Sequence, residues 1–394
     1  MAWILATFLY IVWSSEFCRC EEVLSTEQSI AQAQQSNNEM EHSENQVNNS
    51  NHHKWSNGVY YIFEPGASEK LKKCFHKAKY LWEKMTCVNF TQGQGDDGYG
   101  YLNVTDKYDY KSDIGRLGNE QIFSIGKKCD EEIGRAIREL GQVLGLYLTK
   151  DSHVAVMPEG MNKSALDELE GISQKGSDLS GKNHDYGSII RSGSPAEKQN
   201  LADWNYRKTI GSHMISFMDL WLVNEYYGCH DICKKEKKKV VCENGGFPHP
   251  RKCNERCICP IGYGGKRCKL RNQKCGGDFN ATDQWQPLKI SVRNEHELRR
   301  YHRCQYWIRS PNDTVIEIKI ALIRNEFAQQ GCPEAAVEIK TNDDHTLTGY
   351  RFCSQDDERT KLKSRSNFVP IVAYNSYYFF PFMAQLEYRY VKAT

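Results

Sequence analysis

The stretch GRAIRELGQVLGLYLTKDSH, Gly134–His153, decides the fold. Ile133, Ile137, Leu140, Leu144 and Tyr147 recur at spacings of four, three, four and three. This is the apolar stripe of an amphipathic helix and predicts one over 130–147. Arg138 and Gln142 fall one turn apart on another face, next to Glu139. Gly145 can adopt the left-handed backbone that ends a helix sharply, which would bring Leu148 back toward that face.

Upstream, Val59–Phe63 reads as a strand stopped by Pro65 and Gly66. A helix is expected from about Ser68 to Met85, with Leu71, Phe75, Ala78, Leu81 and Trp82 on one side. CVNF (87–90), YGYLNV (99–104) and QIFSI (121–125) are short strand candidates. Downstream, 149–209 reads as loop, and Ser216 with Asp219 forms a capping-box-like start to a helix over 216–227.

A chain of 394 residues calls for two to four domains. Its sixteen cysteines are missing from 21–73 and from 130–228 and are dense over 229–275, the clustering of disulfide-stapled modules made in an oxidising compartment. MAWILATFLYIVWSS (1–15) reads as a signal peptide, shorter than the roughly 20 apolar residues of a spanning helix, so no membrane span is expected. Cleavage after Cys20 removes Cys18 and Cys20 and leaves fourteen cysteines, an even number. Sequons begin at Asn48, Asn89, Asn103, Asn162, Asn280 and Asn312 and, in a chain of eukaryotic origin, support a secreted, extracellular glycoprotein. Residues 21–53 are rich in Gln, Asn, Ser and Glu and poor in aliphatics, the composition of a flexible leader or short propeptide. A formal charge of +2 argues against a nucleic-acid partner. The basic run CKKEKKKVVC (233–242) could grip an acidic polysaccharide, although such runs are more commonly solvated loops.

Several of these words, in this order, resemble the astacin family of metzincin proteases. KWSNGVYYIF (54–63) is similar to the family's opening, TCVNF (86–90) to its first-cysteine strand, and DIGRLGNEQIFSI (113–125) to the sheet segment before the zinc helix. DYGSIIRSG (185–193) falls at the Met-turn, and ISFMDLWLVNEYYGC (215–229) resembles the closing helix. The implied fold is an α+β astacin-like domain over 54–229. The family's HExxHxxGxxH motif carries three zinc-binding histidines and a general-base glutamate. Here the three ligand positions hold Arg138, Gln142 and Leu148, and only Glu139 is retained. Ile190 stands for the Met-turn methionine, Ser192 for the outer tyrosine, and Thr149 for the glutamate that follows the third histidine. A guanidinium has no lone pair to give and leucine has no donor. At an effective dielectric near 20, a charge about 4 Å from Arg138 feels roughly 4 kcal/mol, and a divalent ion about twice that. Without a metal, water keeps a pKa near 15.7 instead of about 7, leaving Glu139 no hydroxide to generate. His153 and His184 flank the cleft in sequence, but the frame aims neither at the metal, and Glu139 reads better as an ion-pair partner of a nearby base. The family's propeptide latch uses an aspartate in an FxGD-like segment, and 21–53 contains neither Asp nor Gly.

CENGGF (242–247) and CICPIGYGGKRC (257–268) resemble an EGF-like module over 233–268, which implies Cys233–Cys253, Cys242–Cys257 and Cys259–Cys268. CGGDF (275–279), CQYWIRSPNDTVIEIKI (304–320) and CPEAAVEIK (332–340) resemble an all-β CUB sandwich over 275–394, which implies Cys275–Cys304 and Cys332–Cys353. Alternation in TVIEIKIAL (314–322) supports strands independently. Of the CUB calcium ligands only Glu326 matches, since Ala335 and Asn375 replace the two aspartates, which counts against a calcium site. In the first domain four cysteines allow three pairings. The resemblance implies Cys87–Cys229. The usual partner of Cys129 is replaced by Tyr110 and Cys74 is extra, so a substitute Cys74–Cys129 bridge is expected.

The order of modules is similar to that of secreted nematode astacins. The leading expectation is an inactive pseudoprotease, without a cofactor, that binds an extracellular protein or glycan. The alternatives are a zinc-dependent metalloendopeptidase and a structural matrix component.

Overall fold

The computed structural model describes residues 52–96, 98–149, 154–157, 159–160, 184–199, 201–294, 301–324, 328–378 and 380–393. The signal-peptide segment, the leader up to residue 51, the sequons at Asn48 and Asn162, His153 and Glu326 lie outside these residues. The last two leader residues belong to the fold: His52 is buried, and His53 exchanges backbone hydrogen bonds with Arg116 at 2.8 and 2.9 Å.

Strand β1 (Val59–Phe63) is the second strand of a parallel sheet, which runs β2 (Phe90–Gln92), β1, β3 (Tyr101–Thr105), β4 (Glu120–Ser124). Between β1 and β2 lies α1 (Glu69–Met85), whose N-cap Ser68 accepts from Leu71 N. Its stripe of Leu71, Cys74, Phe75, Ala78 and Trp82 packs into the core, where the Trp82 indole N–H donates to Ile137 O at 2.9 Å. The acceptor carbonyl belongs to α2 (Ile133–Val143), which packs on α1.

Helix α2 is shorter at both ends than the periodicity predicts. Gly145, at φ +98°, turns the chain, and Leu146–Leu148 form β5, paired antiparallel with β6 (Val154–Val156). Leu144 and Tyr147 are buried as the stripe requires, but from beyond the helix. An extended partner strand thus overrides the helical pattern. The stretch expected to be loop also contains a short helix, α3 (Pro195–Gln199), and a 3-10 turn (Trp204–Lys208). Helix α4 (Phe217–Tyr226) starts on the Ser216–Asp219 capping box, and α5 (Cys229–Lys234) follows it.

Residues 233–268 form a small module around the hairpin β7 (Phe247–Pro248) and β8 (Cys257–Ile258). It is too small for a large apolar core and depends on covalent staples. The remainder is a sandwich of two sheets. One runs β10 (Gln286–Val292), β17 (Phe382–Lys392), β12 (Thr314–Arg324), β15 (Lys361–Lys363). The other runs β14 (Tyr350–Phe352), β13 (Ala335–Ile339), β16 (Phe368–Asn375), β11 (His302–Arg309), β9 (Gly276–Asn280). Among the described residues, seven disulfides join Cys74–Cys129, Cys87–Cys229, Cys233–Cys253, Cys242–Cys257, Cys259–Cys268, Cys275–Cys304 and Cys332–Cys353.

The sandwich is packed against segment 184–214 as one body. Tyr206, from the 3-10 turn, lies in the sandwich core between Tyr186 and Tyr350, 4.3 Å from each ring centroid. Gly187 meets Thr348 so closely that an added Cβ would sit 2.3 Å from its side chain. The contact also carries charge. Glu338 accepts from Arg351 at 3.0 Å and has Lys340 at 3.8 Å, with all three side chains buried, and Arg351 reaches on to Ser212 Oγ at 2.7 Å.

Candidate functional site

At the positions of Arg138, Glu139 and Gln142, α2 packs directly on the turn Asp185–Gly193. Ser188 N donates to Asp185 O and Arg191 N to Ser188 O, and the turn presents Ile190 upward. The Ile190 side chain is buried under Gly141, where a Cβ would lie 3.2 Å from Ile190 Cδ1. Asp219 holds the turn from α4, accepting from Ser188 Oγ at 2.5 Å and from Ile189 N at 2.9 Å, while its cap bond to Ser216 N is kept at 2.8 Å. Burial pushes the Asp219 carboxyl up to about 6, against the pull of those three donors.

Arg138 points down from α2 to the turn. Its Nε donates to Ile189 O at 2.8 Å and its Nη2 to Arg191 O at 3.2 Å. The guanidinium thus ties helix to turn, a pairing of a charged donor with carbonyl oxygens that is stronger than a neutral one. Burial lowers its pKa from the ordinary value, while the negative charges of Glu139 and Glu197 oppose that shift.

Glu139 is held by a hydroxyl rather than by the ion pair expected of it. Ser112 Oγ lies 2.7 Å from Glu139 Oε2 and also 3.1 Å from Gln142 Oε1. Burial raises the Glu139 carboxyl pKa, and the Ser112 hydrogen bond and the charge on Arg138 draw it back. The hydroxyl has one proton, which goes to the nearer acceptor, Glu139 Oε2, so the Gln142 amide oxygen is a neighbour of Ser112 Oγ and not a second acceptor of its proton. Leu148 is half-buried on β5, packed on the core of the first domain. Ser192 Oγ turns to Glu197 Oε2 at 3.1 Å, and His184 lies beside Tyr186.

The zinc implied by the resemblance does not fit these residues. Arg138 brings a cation bonded to the turn, Gln142 brings only an amide, and Leu148 brings no donor. Among the described residues, the three-donor group of His, Cys, Asp or Glu atoms close enough to share an ion is Cys275, His302 and Cys304. Both of those thiols are joined in a disulfide, so they offer no thiolate.

Three participants were not found from sequence. Ser112 sits in an irregular segment with no periodic signal. His213 packs against Gly134, where a Cβ would meet it at 2.3 Å, and burial and then the nearby Arg138 charge bring its pKa down to about 4. At neutral pH it is an uncharged imidazole beside the cleft helix. Asp219 is visible as a capping residue, but nothing local announces its second task of holding the turn.

Residues 47–228 match the family model described as Astacin. The chain is 34% identical over 350 residues to zinc metalloproteinase nas-31 of Caenorhabditis elegans, which covers 86% of this chain and 56% of that protein. To zinc metalloproteinase nas-29 of the same organism it is 29% identical over 360 residues, covering 86% and 66%. It thus spans less than two thirds of the length of either relative. Among solved structures it is similar to high choriolytic enzyme 1, a hatching enzyme zinc-protease from Oryzias latipes. That similarity has 21% identity and a TM-score of 0.32, and covers 45% of this chain and 94% of that one. The match over residues 47–228 and the similarity of most of this chain to two metalloproteinases lead to one conclusion: the domain over those residues belongs to the astacin family of peptidases.

Proposed function

We propose that this chain is a secreted, catalytically inactive astacin whose cleft persists as a binding surface, with its EGF-like and CUB-type modules docking extracellular protein or glycan partners. The observation that carries this reading is Arg138. Its guanidinium occupies a ligand position, and its hydrogen bonds to Ile189 O and Arg191 O hold it there. A divalent cation in that place would meet a fixed positive charge. Glu139 supports the same reading, because its carboxylate is buried and engaged by Ser112 rather than poised over an open metal position. Seven disulfides among the described residues support an oxidising, extracellular setting. No helix of the described residues is long and apolar enough to cross a membrane.

A working zinc metalloendopeptidase is the reading favoured by the names of the relatives and by the retention of Glu139. Incubating the purified chain with a denatured protein substrate, with and without a metal chelator, separates the two. The expected outcome is no chelator-sensitive cleavage and identical behaviour of wild type and Glu139→Ala. Cleavage that chelator abolishes and Glu139→Ala removes would overturn the pseudoprotease reading.

A further inference from the structure

We propose that the loop 234–241 and the groove beside it form a binding site for a sulfated polysaccharide, with Trp221 as a stacking platform for a sugar ring. This rests on the glycan-binding part of the function proposed above and not on the inactivity of the cleft. The loop carries five lysines and a single acidic residue, Glu236. Lys234 is paired with Asp231 at 2.7 Å, while Lys235, Lys237, Lys238 and Lys239 stand exposed. On a chain with a formal charge of only +2 this is a local concentration of positive charge. Such a concentration attracts a polyanion through many simultaneous contacts.

Two features turn the charge into a site. The loop is pinned at both ends, by Cys233–Cys253 and Cys242–Cys257, and Val240 N donates to Cys253 O at 2.9 Å. Its lysine backbones are therefore placed before any ligand arrives, which lowers the ordering cost of binding. Beside the loop is a groove of about 420 Å³ lined by Trp221, His230, Lys234, Lys239 and Phe247 among others, with one acidic residue, Glu225, whose carboxylate lies 3.7 Å from His230 Nε2. Trp221 is 37% exposed. Its ring is backed by His230 at 6.3 Å, which in turn stands edge-on to Phe247 at 4.7 Å. A rigid aromatic face beside ammonium groups suits a ligand with alternating C–H faces and anionic substituents. An acidic peptide would use the lysines but has no sugar face for Trp221.

The test uses the full chain titrated with size-defined heparin oligosaccharides and, separately, with poly-glutamate at about 0.15 M salt, near the ionic strength where exposed charges are largely screened. Replacing three lysines together, Lys237→Gln, Lys238→Gln and Lys239→Gln, should weaken heparin binding at least tenfold. The control pair Lys361→Gln and Lys363→Gln, also exposed, should leave it unchanged. Trp221→Ala should cost threefold or more for heparin and nothing for poly-glutamate, and Trp221→Phe should restore most of the loss. Equal binding of poly-glutamate and heparin, or indifference to Trp221→Ala, would overturn the polysaccharide assignment. Heparin binding that survives the triple replacement would overturn this location while leaving glycan binding elsewhere on the chain intact.

Discussion

Glu338→Leu is expected to lower the unfolding free energy by about 3–5 kcal/mol, the cost of leaving a buried charge without its partner. Two buried cations depend on this carboxylate, Arg351 at 3.0 Å and Lys340 at 3.8 Å. Glu338 also accepts from Gly349 N at 3.1 Å. The network lies where the sandwich meets segment 184–214, since Arg351 donates from its guanidinium to Ser212 Oγ and from its backbone N to Thr209 Oγ1 at 2.9 Å. Its loss would therefore loosen the support of the turn Asp185–Gly193 as well as the sandwich. Thermal and denaturant unfolding followed by near-UV circular dichroism would measure it. The double variant Glu338→Leu, Arg351→Met should recover part of the loss, because it removes an orphaned cation along with its partner. A single-variant loss under about 1 kcal/mol would mean that the charges reach water and the buried network is not what holds the two parts together.

Arg138→Ala should destabilise the chain by about 3–6 kcal/mol, since hydrogen bonds to charged groups contribute roughly 1.5–3 kcal/mol each and two are lost. Gln142→Ala, one turn along the same face, should cost less than about 1 kcal/mol, because Ser112 would keep its bond to Glu139. Chelator should leave the unfolding midpoint of wild type unmoved. In physical terms Arg138 ties α2 to the turn below it by hydrogen bonding. If Arg138→Ala unfolds within about 0.5 kcal/mol of wild type, the guanidinium is not that tie.

Local signals were legible where a residue's neighbours in sequence are also its neighbours in space. The β1 run, the apolar stripe of the 68–85 helix and the Ser216–Asp219 box each express a rule spanning a few residues, and each appears at those positions. The ends of α2 were not legible, because the pairing of β5 with β6 competes with the helical pattern and is decided across a turn. The substitutions at the cleft could be read directly, as donor chemistry is a property of the side chain alone. Their partners could not. Arg138 meets carbonyls more than fifty residues downstream, and Ser112 reaches Glu139 from 27 residues upstream, with no periodicity joining them. The docking of the sandwich was equally hidden, since Thr209 and Arg351 stand 142 residues apart.

Arg138, Gln142 and Leu148 do not make an adequate donor set for zinc, and bound metal is the quantity that tests this most directly. Purified full-length chain, incubated with excess zinc and freed of unbound metal, should be analysed by mass spectrometry beside the variant Arg138→His, Gln142→His, Leu148→His. The expected result is no stoichiometric zinc on the wild-type chain and a gain only in the variant with three imidazoles. One zinc per wild-type chain that disappears in Gln142→Ala would contradict the account.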